Sequence, residues 1–167
     1  RAWLAVAEGD TRRAADLVRT TGLELAARRE LREASVLLDE AVMFGDREAA
    51  EALLGFVDDV PTPVGRARAL RAAALLSGSP ADRLAAAEGF AGCGFIHSAA
   101  TEAAQAAHAL RADGDPRAAA AAEAKARAWA DLSPGIRVEG LGETAGAALL
   151  TPREREIASL VARGRTS

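Results

Sequence analysis

One turn signal recurs four times along this chain and constrains its fold more than any other feature. A glycine followed by aspartate or serine returns at spacings of 36, 33 and 36 residues. Glycine suits the position just past a helix end, because it adopts a positive φ without a Cβ clash. Aspartate and serine accept hydrogen bonds from the free N–H groups of the next helix. The four pairs are Gly9-Asp10, Gly45-Asp46, Gly78-Ser79 and Gly114-Asp115.

The segments between these turns have helical periodicity. From Leu23 to Phe44 apolar residues return at a spacing typical of a helix with a wide apolar face. Pro80 and Pro116 stand where a proline suits the first helical turn. The chain holds 44 alanines among 167 residues, and alanine favours helix over strand. The sequence therefore predicts an all-α fold, with an array of antiparallel helical hairpins over residues 1–132.

A hairpin that returns about every 34 residues resembles the tetratricopeptide repeat. In three of the four units an alanine follows the turn glycine by five residues, at Ala14, Ala50 and Ala119. The resemblance covers Trp3 to Leu132, although alanine, leucine or arginine takes most of the aromatic positions of that repeat. It implies a solenoid that binds a peptide, a partner domain or a small ligand. The alternative is an array that serves only as a spacer.

Residues 133–149 have the composition of a connection. Ser133-Pro134-Gly135 stops the last hairpin, and four glycines lie between positions 135 and 146 without a clear period. We therefore predict a flexible linker. The pair Gly140 and Gly142 is not interpreted as a phosphate loop, because neither a preceding strand nor a following lysine accompanies it.

A short helix with defined ends is predicted within residues 150–167. Thr151 suits the N-cap and Pro152 the first helical position, and Glu154 completes a capping box with Thr151. Gly164 ends the helix. Its apolar face needs a surface to pack on, so it is expected to open a further domain. The residues that define this predicted scaffold are Thr151, Pro152, Arg153, Glu154, Ile157, Leu160, Val161 and Gly164.

This run resembles the start of the LuxR-type helix-turn-helix DNA-binding domain. The resemblance implies that residues 150–167 begin such a domain and that its base-reading helix follows Ser167. Helical repeats before such a domain are similar to the large ATP-binding, MalT-like class of LuxR-type regulators. That class implies an ATPase module before Arg1, so ATP enters only by resemblance. The 167 residues contain no P-loop sequence and predict no cofactor of their own.

The charge distribution agrees with this division. The chain has a formal net charge of -3, but residues 151–167 carry four arginines against two glutamates. The formal net charge of this segment is therefore +2, and that of the remaining residues is -5. Positive charge lies where DNA phosphates would be met, and the acidic array would be repelled by them.

Other candidate sites are weak. His97 and His108 are eleven residues apart, about 16 Å along a helix, which is too far for one metal ion. Cys93 is the single cysteine, so it excludes an internal disulfide, and we interpret it as a small buried residue. No catalytic constellation is found, and no apolar run of about 18 residues predicts a membrane span.

These observations favour part of a cytoplasmic bacterial transcription regulator rather than an enzyme. The array is expected to receive a small-molecule inducer, a protein partner or a self-association signal, and the intact protein to bind promoter DNA. This chain alone should not bind DNA specifically. Both ends are expected to lie inside a longer polypeptide. The alternative is a stand-alone helical-repeat scaffold for protein interaction, in which the last helix packs back on the array.

Overall fold

The computed structural model describes residues 2–133 together with Val138 and Leu141. In this part of the chain every regular element is helical, which confirms the all-α prediction. A single 3₁₀ turn lies at Val57–Asp59. The α-helices are α1 (Ala2–Ala7), α2 (Thr11–Ala27), α3 (Leu31–Met43), α4 (Arg47–Leu54), α5 (Pro63–Ser77), α6 (Pro80–Gly92), α7 (Ile96–Ala112) and α8 (Pro116–Ala130).

Each helix packs against the next one along the chain, and α3 also contacts α5. The connections are short, so consecutive helices run antiparallel. No described helix is long and apolar enough to cross a membrane.

The four predicted turns are confirmed. At the second of them Gly45 has φ +84°, and the Asp46 carboxylate accepts the N–H of Ala49 at 3.0 Å. This hydrogen bond satisfies one of the free donors at the start of α4. The other three turns repeat the arrangement, with φ +82°, +72° and +81° at Gly9, Gly78 and Gly114 and side-chain caps from Asp10, Ser79 and Asp115.

The apolar stretch from Leu23 to Phe44 is not one helix. Helix α2 ends at Ala27, and α3 begins at Leu31. Arg29 lies in the turn with φ +63° and is the only non-glycine residue with a positive φ in the described part. This turn has no glycine, and the Glu30 side chain does not cap α3, so the local sequence does not mark the break.

Most of the buried apolar residues in the described part are alanines. Their small side chains let neighbouring helices approach closely. The tightest place joins α2 to α3, where a Cβ atom added at Gly22 would lie 2.9 Å from Cγ of Leu38. Helix α5 connects the two halves of the core, because Ala72 packs in a cluster with Leu38 and Ala67 in another with Phe90.

Candidate functional site

The predicted start of the DNA-binding domain lies outside the described residues. This holds for the whole scaffold set: Thr151, Pro152, Arg153, Glu154, Ile157, Leu160, Val161 and Gly164. Of the predicted linker, the structure describes Ser133, Val138 and Leu141.

A buried ionic network links three alternate helices of the array. Arg71 on α5 is 2% exposed and has a carboxylate partner on each side. Its Nε donates to Oε1 of Glu102 on α7 at 2.9 Å, and its Nη1 donates to Oδ2 of Asp39 on α3 at 2.9 Å. The three residues are spaced by 32 and 31 positions, close to the hairpin repeat. Opposite charges thus alternate along the first helices of successive hairpins.

Further partners extend this network at both ends. Arg68 donates from Nη1 to the Ser35 hydroxyl at 3.1 Å, and its Nε lies 3.6 Å from Oδ2 of Asp39. Arg83 on α6 donates from Nη1 to Oε2 of Glu102 at 3.1 Å and also to Oε1 of Gln105.

An aromatic ring lies beneath the central cation. The guanidinium carbon of Arg71 is 4.1 Å from the centroid of the Phe90 ring, within the range of a cation–π interaction. Phe90 is 1% exposed and belongs to an apolar cluster formed by α5, α6 and α7. The network is therefore anchored in the hydrophobic core.

The electrostatic balance of the network is incomplete at Asp39. Burial raises the pKa of this carboxyl, and Glu102 raises it further, while Arg71 and Arg68 lower it. Two buried atoms, Oδ1 of Asp39 and Nε of Arg68, make no hydrogen bond. Removing charges from water costs free energy, and the cost is recovered only with good geometry and full hydrogen bonding. The network therefore joins α3, α5 and α7, and its net contribution to stability is smaller than the number of its ion pairs suggests.

The network does not present an open ligand site, since Arg71 and Glu102 are almost completely buried. A cleft of about 420 Å³ lies elsewhere, between the N-terminal ends of α2 and α4. There Arg19 forms ion pairs with Asp16, Asp46 and Glu48 at 2.8–2.9 Å, and its pKa is raised mainly by the hydrogen bond with Asp16. The charges that line this cleft are thus largely neutralised by one another.

Two residues of the predicted linker pack on the array. Val138 is 8% exposed and belongs to an apolar cluster contributed by α6, α7 and α8. Leu141 packs against the same cluster and donates its N–H to the carbonyl of Val138 at 3.3 Å. We call this set the C-terminal cluster: Leu84, Ala87, Ala100, Ala103, Ala104, Ala126, Trp129, Ala130, Val138 and Leu141.

The remaining candidates have separate surroundings. His97 and His108 are both exposed on α7. Cys93 caps the end of α6 and is only half-buried, so the prediction of a buried cysteine is wrong. Among the described residues, no group of histidine, cysteine and carboxylate side chains is arranged to hold a metal ion.

Comparison with known proteins assigns no relative. No protein-family model, no curated protein and no solved structure matches this chain.

Proposed function

We propose that this chain is part of a bacterial DNA-binding transcription regulator of the LuxR type. Its tetratricopeptide-like helices receive a signal from a protein partner or a small-molecule inducer. Residues 150–167 begin the helix-turn-helix domain that binds promoter DNA in the intact protein. The observation that carries this proposal is the dense run from Leu150 to Gly164, whose sequence predicts a capping box, an apolar helix face and a glycine stop.

The array supports the receiving role in this proposal. Eight α-helices, joined by short turns, pack successively from Ala2 to Ala130, and repeating arrays of this kind present extended binding surfaces. The acidic charge of the array disfavours direct DNA contact, whereas the four arginines of residues 151–167 favour it.

The direct test is DNA binding by the full-length gene product. Purified full-length protein is mixed with sheared genomic DNA, and the retained fragments are sequenced. We expect enrichment of a few promoter regions by the full-length protein and none by residues 1–167, because the base-reading helix would follow Ser167. Uniform retention of all fragments by the full-length protein would contradict the proposal, as would specific enrichment by residues 1–167.

A second candidate is a helical-repeat scaffold that binds proteins and no DNA. The packing of Val138 and Leu141 on the C-terminal cluster favours it, because residues beyond the last hairpin then belong to the array. This candidate predicts that the full-length protein enriches no genomic fragment, and that substitutions on the array surface abolish capture of a protein partner.

A further inference from the structure

One apolar position of the repeat is buried in three hairpins and exposed in the first. It lies eight residues after each turn glycine, and its occupants are Leu17, Leu53, Ala86 and Ala122. The last three are 1%, 0% and 2% exposed, whereas Leu17 on α2 is 37% exposed. In later hairpins other helices cover the position, since Leu53 clusters with Leu38 on α3 and Ala86 with Ala67 on α5. The first hairpin therefore leaves open an apolar position that the rest of the array covers.

Leu17 belongs to an exposed stripe along α2 whose spacing is symmetric. The members of the stripe are Arg13, Leu17, Thr20 and Glu24, and all four are exposed. Steps of four, three and four residues place them on one helix face, over a length of about 16 Å. The Thr20 hydroxyl donates to the carbonyl of Asp16 at 2.8 Å, so burial of the stripe would leave no unpaired hydroxyl donor. The stripe thus has an uncharged centre and one charge of each sign at its ends.

The two end charges of the stripe have no partner of their own. Arg19 on the same helix is paired with three carboxylates, whereas Arg13 and Glu24 form no ion pair among the described residues. A stripe with this symmetry is complementary to itself when two copies pack antiparallel, as in a twofold interface. Arg13 of each copy then faces Glu24 of the other, and Leu17 faces Thr20.

We propose that this stripe is a self-association surface, and that its occupant is the same stripe of a second copy of this chain, packed antiparallel about a twofold axis. The interface contains two ion pairs between Arg13 and Glu24, on either side of the two Leu17 side chains. Consecutive helices of the array also pack antiparallel, so the second copy covers Leu17 with the kind of neighbour that the later hairpins have. One helix face of this length is smaller than the roughly 800 Å² per partner of a standard stable interface. The dimer is therefore weak and depends on protein concentration.

Charge reversal at the ends of the stripe tests the antiparallel pairing. In sedimentation equilibrium, Arg13→Glu and Glu24→Arg should each raise the dissociation constant of the dimer about tenfold, because two ion pairs become two contacts between like charges. An equimolar mixture of the two variants should associate about as tightly as the native chain, since both end contacts between unlike copies again join opposite charges. A mixture as weak as either variant alone would overturn the pairing, as would unchanged association of either variant.

The apolar centre of the stripe is tested by Leu17→Asp. This variant should lose the dimer at concentrations where the native chain associates, because its carboxylates would be buried in the interface. The matched control is Leu23→Asp, the same change at a leucine of α2 that is 40% exposed and lies off the stripe, and it should leave association unchanged. Far-ultraviolet circular dichroism checks that both variants remain helical. Equal association of the two variants would overturn the proposal, and so would a native chain that is monomeric at every concentration measured.

The full-length gene product distinguishes a second copy from any other cover of Leu17. We expect the same variants to change its association in the same order. Association of residues 1–167 through the stripe but not of the full-length protein would show that another part of the gene product covers Leu17, and would overturn the proposal. None of these measurements involves DNA, so self-association without promoter binding would refute the proposed function alone.

Discussion

Replacing Arg71 with leucine tests the ionic network most severely. The substitution removes the cation between two buried carboxylates and leaves a shorter, apolar side chain that does not reach the place of the guanidinium over Phe90. Asp39 then retains only Arg68, at 3.6 Å, and Glu102 retains Arg83, at 3.1 Å.

Breaking a buried ion pair from one side costs about 3–5 kcal/mol, because a charge is left without its partner in a poorly solvated site. Arg68 and Arg83 remain near the two carboxylates and reduce this cost. We therefore expect the free energy of unfolding to fall by about 3 kcal/mol. That loss is a large share of the roughly 5–15 kcal/mol that stabilises a domain.

Urea unfolding followed by far-ultraviolet circular dichroism measures the change. The matched control is Arg66→Leu, an exposed arginine of the same helix, which should change the free energy of unfolding by no more than about 0.5 kcal/mol. In the triple variant Asp39→Asn/Arg71→Leu/Glu102→Gln the two carboxylate charges are removed as well, and we expect part of the lost stability to return.

Two outcomes would refute this reasoning. A loss below about 1 kcal/mol in Arg71→Leu would show that the carboxylates do not depend on the cation. A triple variant less stable than the single variant would show that uncompensated charge is not the source of the loss.

Three further predictions concern single positions. Burial raises the pKa of Asp39 in the folded chain above its ordinary value. The protonated carboxyl therefore stabilises the fold below the ordinary aspartate pKa, and this stabilisation is lost as pH rises through the raised pKa. Urea unfolding across that pH range should show the free energy of unfolding of the native chain falling relative to that of Asp39→Asn. Gly22→Ala should lower the free energy of unfolding by about 1–2 kcal/mol, because the added methyl overpacks against α3. Gly92→Ala has open space around the added methyl, so it should leave the free energy of unfolding unchanged or raise it by up to about 1 kcal/mol. Equal shifts of the thermal midpoint for the two variants would contradict this prediction. Arg29→Gly should raise the free energy of unfolding by up to about 1 kcal/mol, because glycine adopts the left-handed φ of this position without a Cβ clash. Arg28→Gly, at a residue with φ -86°, should lower the free energy of unfolding. The reverse order of the urea midpoints would show that the backbone at Arg29 is not strained.

Much of the fold was predictable from local chemistry. A turn such as Gly45-Asp46 combines a residue that adopts positive φ with a side chain that caps the next helix, so the sequence itself marks the break. The turn at Arg29 lacks both signals. Arginine has a high helix propensity, and only the packed structure shows that the chain leaves the helix there.

The ionic network was less accessible to sequence reasoning. Charged residues within an amphipathic helix usually belong to its solvated face, so Asp39, Arg71 and Glu102 give no local sign of burial. The available signal was their spacing of 32 and 31 residues, slightly shorter than the 33–36 residues between the turn glycines, which places opposite charges on the first helices of successive hairpins. Their burial depends on contacts between helices far apart in the sequence.

Composition alone did not predict that Val138 and Leu141 pack on the array. Four glycines predict a flexible linker. This prediction considers the conformational freedom of the backbone and not the side chains between the glycines. Val138 and Leu141 are two aliphatic residues three positions apart, and this pair was the available sign that side chains of this stretch pack on the array. The C-terminal cluster is formed by residues from three helices. A pattern within one stretch of sequence therefore does not predict it.

The specificity of DNA binding tests the central claim most directly. The quantity is the ratio of the dissociation constants of the full-length protein for a scrambled fragment and for its best genomic fragment, measured at one fixed salt concentration. A promoter-reading regulator predicts a ratio of about a thousand or more. A ratio near one would contradict the account and leave the helical array as a protein-interaction scaffold.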